Sequence, residues 1–444
     1  MHKKELGLLV LILLVGGITA AINPRFLSPV NLVNMANLIG LFGLFAIGEG
    51  LVIITGGIEL SVGSMFALIG VIFTDLMVNH GMPWQLCIPL AVGIGVGLGA
   101  IHGLLITRLK MQPFVVTLCG LLIYRGIARW YMNDATIGFG YGDELETLIW
   151  LASGKTFGIP HTFITLVVVA LIMSVILHRS VFGRYLFAVG KNEEAARYSG
   201  INAGLVTATA YVISGALAGL SSVFIAFYTN SISPAAHGNF YELYAIAAAV
   251  LGGCSLRGGE GSILGIVLGA ILLQVLQNLV NLLGIPSSLN FAVMGGVILL
   301  GVIADQELQR RREAALRALE FFAAFDARLV GPVLEGTADA NTPVALQLYS
   351  DDAGAVARCL DDHGIPAEPR GRRVRLDRER DFDAEVWLFA ADELAFDLTV
   401  LPRDALRQAP LSPVDEKPMR RASAAQLRAL LAEAEIAGYE RGAG

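Results

Sequence analysis

The chain has 444 residues, of which 55% are hydrophobic and only 16% are charged, and its mean hydropathy is +0.63. This composition excludes an ordinary soluble protein. The charge is unevenly distributed, because residues 1–306 hold 13 basic and 13 acidic side chains whereas residues 307–444 hold 19 and 25. The net charge of −6 therefore belongs to the last third. We expect a membrane domain at 1–306 and a cytosolic domain at 307–444.

The first part contains about ten apolar runs that approach the roughly 20 residues a helix needs to cross a bilayer. They lie at residues 6–22, 33–55, 62–78, 85–107, 114–131, 161–177, 204–229, 240–254, 262–283 and 288–304. The run at 240–254 is short, and the run at 33–55 is interrupted by glycines. The runs predict a polytopic all-α membrane protein with about ten transmembrane helices.

The first run follows His2, Lys3 and Lys4 and ends in small residues. That pattern also fits a cleavable signal peptide. Because so many further spans follow, we interpret this run as the first of them.

Basic residues alternate between the connections as the positive-inside rule requires. With a cytoplasmic N-terminus, the connections placed inside hold Arg108, Lys110, Arg179, Arg184, Lys191, Arg197, Arg257 and Arg310–Arg312. Those placed outside hold mainly Arg25 and Lys155, and the longest of them carries Asp134, Asp143, Glu144 and Glu146. The distribution predicts that both termini and the polar segment at 178–201 are cytoplasmic.

Glycines recur within the predicted fourth span, at Gly93, Gly95, Gly97, Gly99 and Gly103. Small residues at such spacing let helix backbones approach closely where lipid offers no hydrophobic drive for association. They predict tight helix packing rather than a substrate site.

Four segments resemble, in order, the permease subunits of ribose-type sugar ABC importers. They are GGIELSVGS at 56–64, PFVVTL at 113–118 with YRG at 124–126, the polar segment HRSVFGRYLFAVGKNEEAARYSGI at 178–201, and YELYAIAA at 241–248 with LGGCSL and GGEGS after it. The resemblance covers residues 1 to about 306. Glu59 stands where the family usually has Asp, and Tyr244 also stands where Asp is common.

The resemblance implies a monosaccharide permease of the bacterial inner membrane that works by alternating access. Its partners would be an ATP-binding subunit, a periplasmic sugar-binding protein, a second permease subunit and the lipid bilayer. In such importers a short cytoplasmic helix of the permease fits a groove in the ATP-binding subunit. The matching residues here are Glu193, Glu194, Ala195, Ala196, Arg197 and Gly200. An ordinary solvated connecting helix is the alternative interpretation of these residues.

Further candidates lie in the motifs or at membrane depth: Glu49, Gly57, Glu59, Ser61, Arg125 and Glu242. We interpret the 56–61 segment as a sharp turn in which Ser61 caps the next helix, with direct substrate contact as the alternative. Ionisable groups inside a membrane are costly, so they face a water-filled path or find partners. Arg125 and Arg129 could instead snorkel to the surface, and Glu49 could bond to neighbouring helices or face the sugar path.

No nucleotide-binding or catalytic motif stands out. The stretch SGKT at 153–156 lacks the earlier glycine of a P-loop, since position 149 is Ile. The four cysteines show no metal-binding spacing. We therefore expect no enzyme activity, no catalytic or metal-binding residue and no cofactor, so that ATP hydrolysis belongs to a partner.

Beyond residue 306 the pattern predicts a small α+β domain. Helices are expected at 307–322, 351–363 and 422–437, and strands at 343–349, 374–376, 384–389 and 394–401. The order resembles a nucleotidyltransferase-type fold, with Gly336 and Thr337 before the first strand. Ala345 and Gln347 occupy the place of the paired metal-binding carboxylates, and Asp397 alone cannot hold two metals.

An arginine cluster in this tail could suggest nucleic-acid binding. It comprises Arg370, Arg372, Arg373, Arg375, Arg378 and Arg380. Intervening acids favour a solvated strand face without a nucleic-acid partner. A rival hypothesis makes the whole chain a membrane-anchored enzyme or sensor whose tail is the active part.

Overall fold

The computed structural model describes residues 3–140, 146–286, 289–336, 338, 342–377, 380–407, 409–411 and 418–439. Asp143, Glu144, Thr337 and Arg378, named above, lie outside these residues. The chain divides into two compact units, residues 1–298 and 299–444.

The first unit is helical. Its helices are α1 (Lys3–Ile22), α2 (Pro29–Ile54), α3 (Val62–Val78), α4 (Trp84–Thr107), α5 (Pro113–Tyr131), α6 (Glu146–Ser153), α7 (His161–Arg179), α8 (Val181–Lys191), α9 (Glu193–Tyr198), α10 (Ala203–Thr229), α11 (Tyr241–Leu251) and α12 (Ile263–Leu282), and α13 (Asn290–Phe321) begins in it. Short antiparallel pairs join β1 (Ile137–Gly138) to β4 (Ser231–Ile232) and β2 (Lys155–Thr156) to β3 (Ile159–Pro160).

Seven helices among the described residues are long and apolar enough to cross a membrane. They are α1, α2, α4, α5, α7, α10 and α12, and α3 and α11 are shorter apolar helices. The structure thus supports a polytopic helical protein, while the count of ten spans stays a prediction.

Helix α2 lies at the centre of this unit. It packs against α7, α10, α11 and α12, and its residues from Ile39 to Ile54 are nearly all buried. A helix that is apolar on every side is suited to such a position, because none of its faces has to meet water. Helix α2 therefore carries the ionisable Glu49 into the protein interior, where it is fully buried.

Helices α4 and α10 pack backbone to backbone through glycines. A Cβ at Gly95 would collide with the carbonyl of Gly215, and one at Gly99 with the carbonyl of Tyr211. Gly103 similarly faces α10, whereas nothing lies within 4 Å of a Cβ at Gly93 or Gly97. The glycine repeat thus contains a packed face and an open face, a distinction that spacing alone did not reveal.

Between β4 and α11 the chain is irregular. The 11 residues of α11 span only about 16 Å, roughly half of the 30 Å hydrocarbon core. Its first residue, Tyr241, packs against Phe42 and Phe45 near the middle of α2, with ring centroids 4.9 and 5.9 Å away. Residues 233–240 therefore lie within the depth spanned by the helices.

The second unit contains a six-stranded mixed sheet. Its strands are β5 (Arg328–Val330), β6 (Val344–Tyr349), β7 (Glu368–Arg375), β8 (Asp381–Ala391), β9 (Leu394–Leu401) and β10 (Arg421–Ala422), in the order β10-β5-β6-β9-β8-β7. Only β6 and β9 pair in parallel. The helices are α14 (Pro332–Glu335), α15 (Ala353–Asp362) and α16 (Ala424–Tyr439), and α13 ends here.

One face of this sheet forms the hydrophobic core of the second unit. Leu346 of β6 and Leu398 of β9 pack with Leu319 of α13, Leu360 of α15 and Leu427 of α16. Because side chains alternate along a strand, the residues between them point to the opposite face. That face therefore receives the polar side chains of β6 and β9.

We predict that Gly99→Leu destabilises the first unit whereas Gly97→Leu does not. The leucine at 99 has to push against the backbone of α10, and overpacking of this kind costs about 1–3 kcal/mol or more. Thermal unfolding of the two purified variants in one detergent tests this. Equal midpoints for the two variants would contradict the glycine-mediated contact.

Candidate functional site

The predicted cytoplasmic segment forms two helices with a sharp break between them. Helix α8 ends at Lys191, and the Asn192 side chain caps α9 by accepting a hydrogen bond from the Ala195 amide at 2.8 Å. Within the fully described stretch 193–200, Ala196 alone is buried. Its methyl group anchors α9 to the core, and the rest of this short helix is presented outward.

Gly200 ends α9 in a Schellman motif. The Gly200 amide donates to the Arg197 carbonyl at 2.9 Å and the Ile201 amide donates to the Ala196 carbonyl at 3.0 Å. Gly200 has φ +83°, which most other residues resist. A Cβ there would meet nothing within 4 Å. The constraint on this position is therefore backbone conformation and not side-chain volume.

The GGIELS segment forms a turn that side chains from several helices hold. The Thr117 hydroxyl of α5 donates to the Ile58 carbonyl at 3.1 Å, and Tyr211 of α10 places its hydroxyl where a Cβ of Gly57 would be. The Glu59 amide donates to Glu49 Oε1 of α2 at 3.1 Å. The turn has the conformation that its glycines suggest, with Gly56 at φ +84°.

Ser61 does not cap α3 as expected. Its side chain makes no capping hydrogen bond to the helix. Instead, the Ser61 amide and hydroxyl donate to Glu59 Oε1, at 2.8 and 2.6 Å. A charged carboxylate is a strong acceptor, so the hydroxyl is oriented to donate to Glu59 rather than to accept from an amide of α3. Glu59 and Ser61 are both fully buried.

Two residues complete this cluster: His102, which lies outside the motifs, and Tyr124, which begins the YRG motif but was not among the candidates. His102 of α4 lies with its Nδ1 2.7 Å from Glu59 Oε2 and its Nε2 2.9 Å from the hydroxyl oxygen of Tyr124 in α5. A carboxylate only accepts hydrogen bonds, so Nδ1 donates to it and Nε2 accepts from Tyr124. His102 is 1% exposed. A lone histidine within an apolar run was the available sequence signal.

Glu49 lies beside this cluster. Its Oε1 accepts from the Glu59 amide, while its Oε2 is buried without a hydrogen-bond partner among the described residues. The bond goes to the turn that follows α2 rather than to a neighbouring helix. Glu242, at the second position of α11, is 8% exposed, and a Cβ at Gly63 would lie 2.7 Å from its carboxylate.

Arg125 and Arg129 have different environments. Arg125 is half-buried and its Nη1 donates to the carbonyls of Pro234 and His237, both at 2.7 Å. It therefore holds the irregular segment 233–240 against α5. Arg129 is exposed and pairs with Asp134, with Nε and Oδ1 2.5 Å apart. The hydrogen bond from Arg129 lowers the pKa of the Asp134 carboxyl.

The second unit has a polar group of side chains on the sheet face opposite its hydrophobic core. Arg372 of β7 forms a bidentate pair with Asp397 of β9, at 2.6 and 3.2 Å. On β6, Tyr349 donates to Gln347 at 2.9 Å, and burial raises the pKa of Tyr349. Asp397 is thus engaged by an arginine.

The arginine cluster of this unit is interleaved with acids. Arg373 pairs with Asp381, and Arg380 with Asp377 and Asp404. Arg375 also has a partner. These pairs fit the solvated strand face expected from the sequence.

Comparison with known proteins gives a consistent set of relatives for the first unit. A family model described as "Branched-chain amino acid transport system / permease component" matches residues 31–302. The ribose import permease protein RbsC of Escherichia coli (strain K12) is 36% identical over 308 residues, which are 69% of this chain and 94% of that protein. RbsC of Bacillus subtilis (strain 168) is 40% identical over 305 residues, 68% of this chain and 91% of that protein.

A third relative differs in the sugar that its name carries. The D-allose transport system permease protein AlsC of Escherichia coli (strain K12) is 31% identical over 305 residues, 68% of this chain and 92% of that protein. No solved structure matches.

We predict that Arg125→Met loosens segment 233–240. Hydrogen bonds from a charged donor contribute about 1.5–3 kcal/mol each, and 1.4 kcal/mol corresponds to a factor of about ten. Hydrogen exchange of the amides at 233–240 should therefore accelerate at least about tenfold. Arg129→Met, which breaks only the exposed pair with Asp134, is the matched control and should leave these amides unchanged. Equal protection in both variants would disprove the anchoring role of Arg125.

Proposed function

Because the chain belongs to the family of ABC transport permeases, we propose that it forms the membrane pathway of an ATP-driven monosaccharide importer. It is a transport protein rather than an enzyme. The observation that supports the proposal most strongly is the near-complete coverage of sugar permeases by this chain, 94% of the ribose permease and 92% of the allose permease. The family model's description names branched-chain amino acids, but the individual relatives named above carry sugar names.

The proposed topology has ten spans with both termini in the cytoplasm of a bacterial inner membrane. The seven long apolar helices, the shorter α3 and α11 and the first half of α13 would supply them. The positive-inside pattern supports this orientation. Residues 1–306 would be the permease domain, and residues 307–444 a cytosolic α+β domain whose role stays open.

The proposed partners are a separate ATP-binding subunit, a periplasmic sugar-binding protein and a second permease subunit. Helix α9 is the proposed contact with the ATP-binding subunit. The exposure of Glu193, Glu194, Ala195 and Arg197 supports this role, as does the rigid exit at Gly200.

Segment 233–240 is the proposed wall of the sugar path. Irregular backbone at membrane depth is tolerated only where protein covers it or where it lines a water-filled cavity. Asn239 and Phe240 are exposed at this depth, and Arg125 holds the segment in place. In the assembled importer this surface would face the path between two permeases, which alternating access opens to one side and then to the other.

The direct test is reconstitution of the chain with its ATP-binding subunit and sugar-binding protein in lipid vesicles. ATP-dependent accumulation of D-ribose or D-allose would support the proposal, and a preparation without the binding protein is the control. Accumulation of branched-chain amino acids and of neither sugar would overturn the substrate assignment. It would leave the assignment as a transport permease in place.

We predict that Gly200→Val uncouples ATP hydrolysis from sugar uptake. Valine in the left-handed region is a genuine outlier, at a cost of about 1–2 kcal/mol, so α9 has to end differently. Such a cost shifts an equilibrium roughly 5–30-fold, and uptake per ATP hydrolysed should fall on that scale. Gly200→Asn is the matched control, because Asn tolerates this conformation. Wild-type coupling in Gly200→Val would disprove the role of α9.

A further inference from the structure

Three backbone segments meet at one place: the end of α2, the end of α8 and the loop after α11. The Gly259 amide donates to the Ile54 carbonyl at 2.8 Å, and a Cβ at Gly190 would collide with that same carbonyl. A Cβ at Gly258 would lie 2.7 Å from the carbonyl of Gly190. Close-packed atoms transmit displacement because they leave no slack. A movement of the end of α8, next to α9, therefore has to move the end of α2.

The end of α2 continues directly into the 56–61 turn. The turn contacts α5 through the Ile58 carbonyl, which accepts from Thr117, and it contacts α4 through the Glu59 carboxylate. Its Oε1 is satisfied within the turn by Ser61, and its Oε2 is held by His102 of α4. His102 passes the contact on to the Tyr124 hydroxyl of α5. A Cβ at Gly120 would lie 2.6 Å from His102 Nε2, so α5 fits closely around the ring.

Tyr124 is followed at once by Arg125, which holds the carbonyls of Pro234 and His237. Hydrogen bonds of 2.7–2.9 Å thus run from the turn to the Tyr124 side chain, the backbone of α5 links Tyr124 to Arg125, and hydrogen bonds of 2.7 Å lead on to segment 233–240. Each polar atom in this series is buried or half-buried. Breaking the buried bonds among Glu59, His102 and Tyr124 leaves polar groups unsatisfied, at a cost of about 1–3 kcal/mol each, so the elements that they join have to move together.

We infer that Glu59, His102 and Tyr124 are positioning residues that link the ATP-driven movement of α9 to segment 233–240. The inference rests on the proposed role of α9 and names the route that its movement takes. The route is α9, the end of α8, the end of α2 with the 56–61 turn, then Glu59, His102, Tyr124 and Arg125. These residues act through other groups and contact no sugar.

The length of Glu59 fits this role. Aspartate would withdraw the carboxylate by one carbon–carbon bond, about 1.5 Å, and a hydrogen bond of 2.7 Å stretched by that amount no longer exists. Glu59 is therefore long enough to reach His102, and the aspartate usual in similar permeases would not be.

The test compares hydrogen exchange at 233–240 with and without ATP in the importer assembled with its ATP-binding subunit. In the wild type, ATP should change the exchange of these amides by at least about fivefold, the lower end of ordinary coupling. His102→Gln and Tyr124→Phe should lose most of that change while ATP hydrolysis continues. Thr162→Val is the matched control, because it removes a buried interhelical bond to Asn37 of 2.9 Å that lies off the route.

Retention of the full ATP-dependent change by both His102→Gln and Tyr124→Phe would overturn the inference, as would the same loss in Thr162→Val. An absence of any change in the wild type would also overturn it. Should His102→Gln fail to assemble, Tyr124→Phe decides, since it removes a single hydroxyl. A failure of the proposed role of α9 would be recognised by a different result, namely that Gly200→Val takes up as much sugar per ATP hydrolysed as the wild type.

Discussion

A carboxylate inside a membrane protein has no bulk water to solvate it, and most of the polar architecture of the first unit follows from how Glu59 meets that constraint. Its two oxygens take donors from the following turn and from α4. Isolated burial of such a charge would cost several kcal/mol, so the donors have to be present wherever the carboxylate is. The Glu59 side chain in consequence holds the 56–61 turn to α4, and His102 extends the link to α5.

Glycine performs the complementary task between backbones. Gly95 and Gly99 pack directly against the backbone of α10, and Gly190 packs against the backbone at the end of α2. Packing of this kind is short-ranged and tolerates no added atom. Glycine contacts therefore fix the backbone-to-backbone packing of α4 with α10 and of α8 with α2. The polar contacts of Glu59, His102 and Arg125 connect the 56–61 turn, α4, α5 and segment 233–240.

The sequence predicts best those features that depend on neighbouring residues. The helix at 193–198 and the left-handed Gly200 follow from a local pattern, as does the turn at Gly56. The strand at 394–401 is similarly local, since alternation is visible within it. Short strands such as Arg328–Val330 and Arg421–Ala422 carry too few residues for a period to appear, and only their pairing defines them.

Features that depend on distant residues could not be predicted. The Ser61 hydroxyl could accept from an amide of the following helix or donate to a carboxylate two residues away, and only the folded geometry decides between these partners. His102 is 43 residues from Glu59 and has no motif around it. The open face of Gly93 and Gly97 likewise depends on where α10 lies.

Glu59 shows why a departure from a family pattern has to be judged in three dimensions. Considered alone, one additional methylene in this turn suggests only a tolerated variation. Considered with its partners, the longer side chain reaches a histidine whose second nitrogen is already engaged by Tyr124. A change at any of the three alters the hydrogen-bonding requirements of the other two, because each has its polar atoms buried with no water to substitute. The three positions are therefore coupled, and the stability changes caused by substitutions at them are expected to be non-additive.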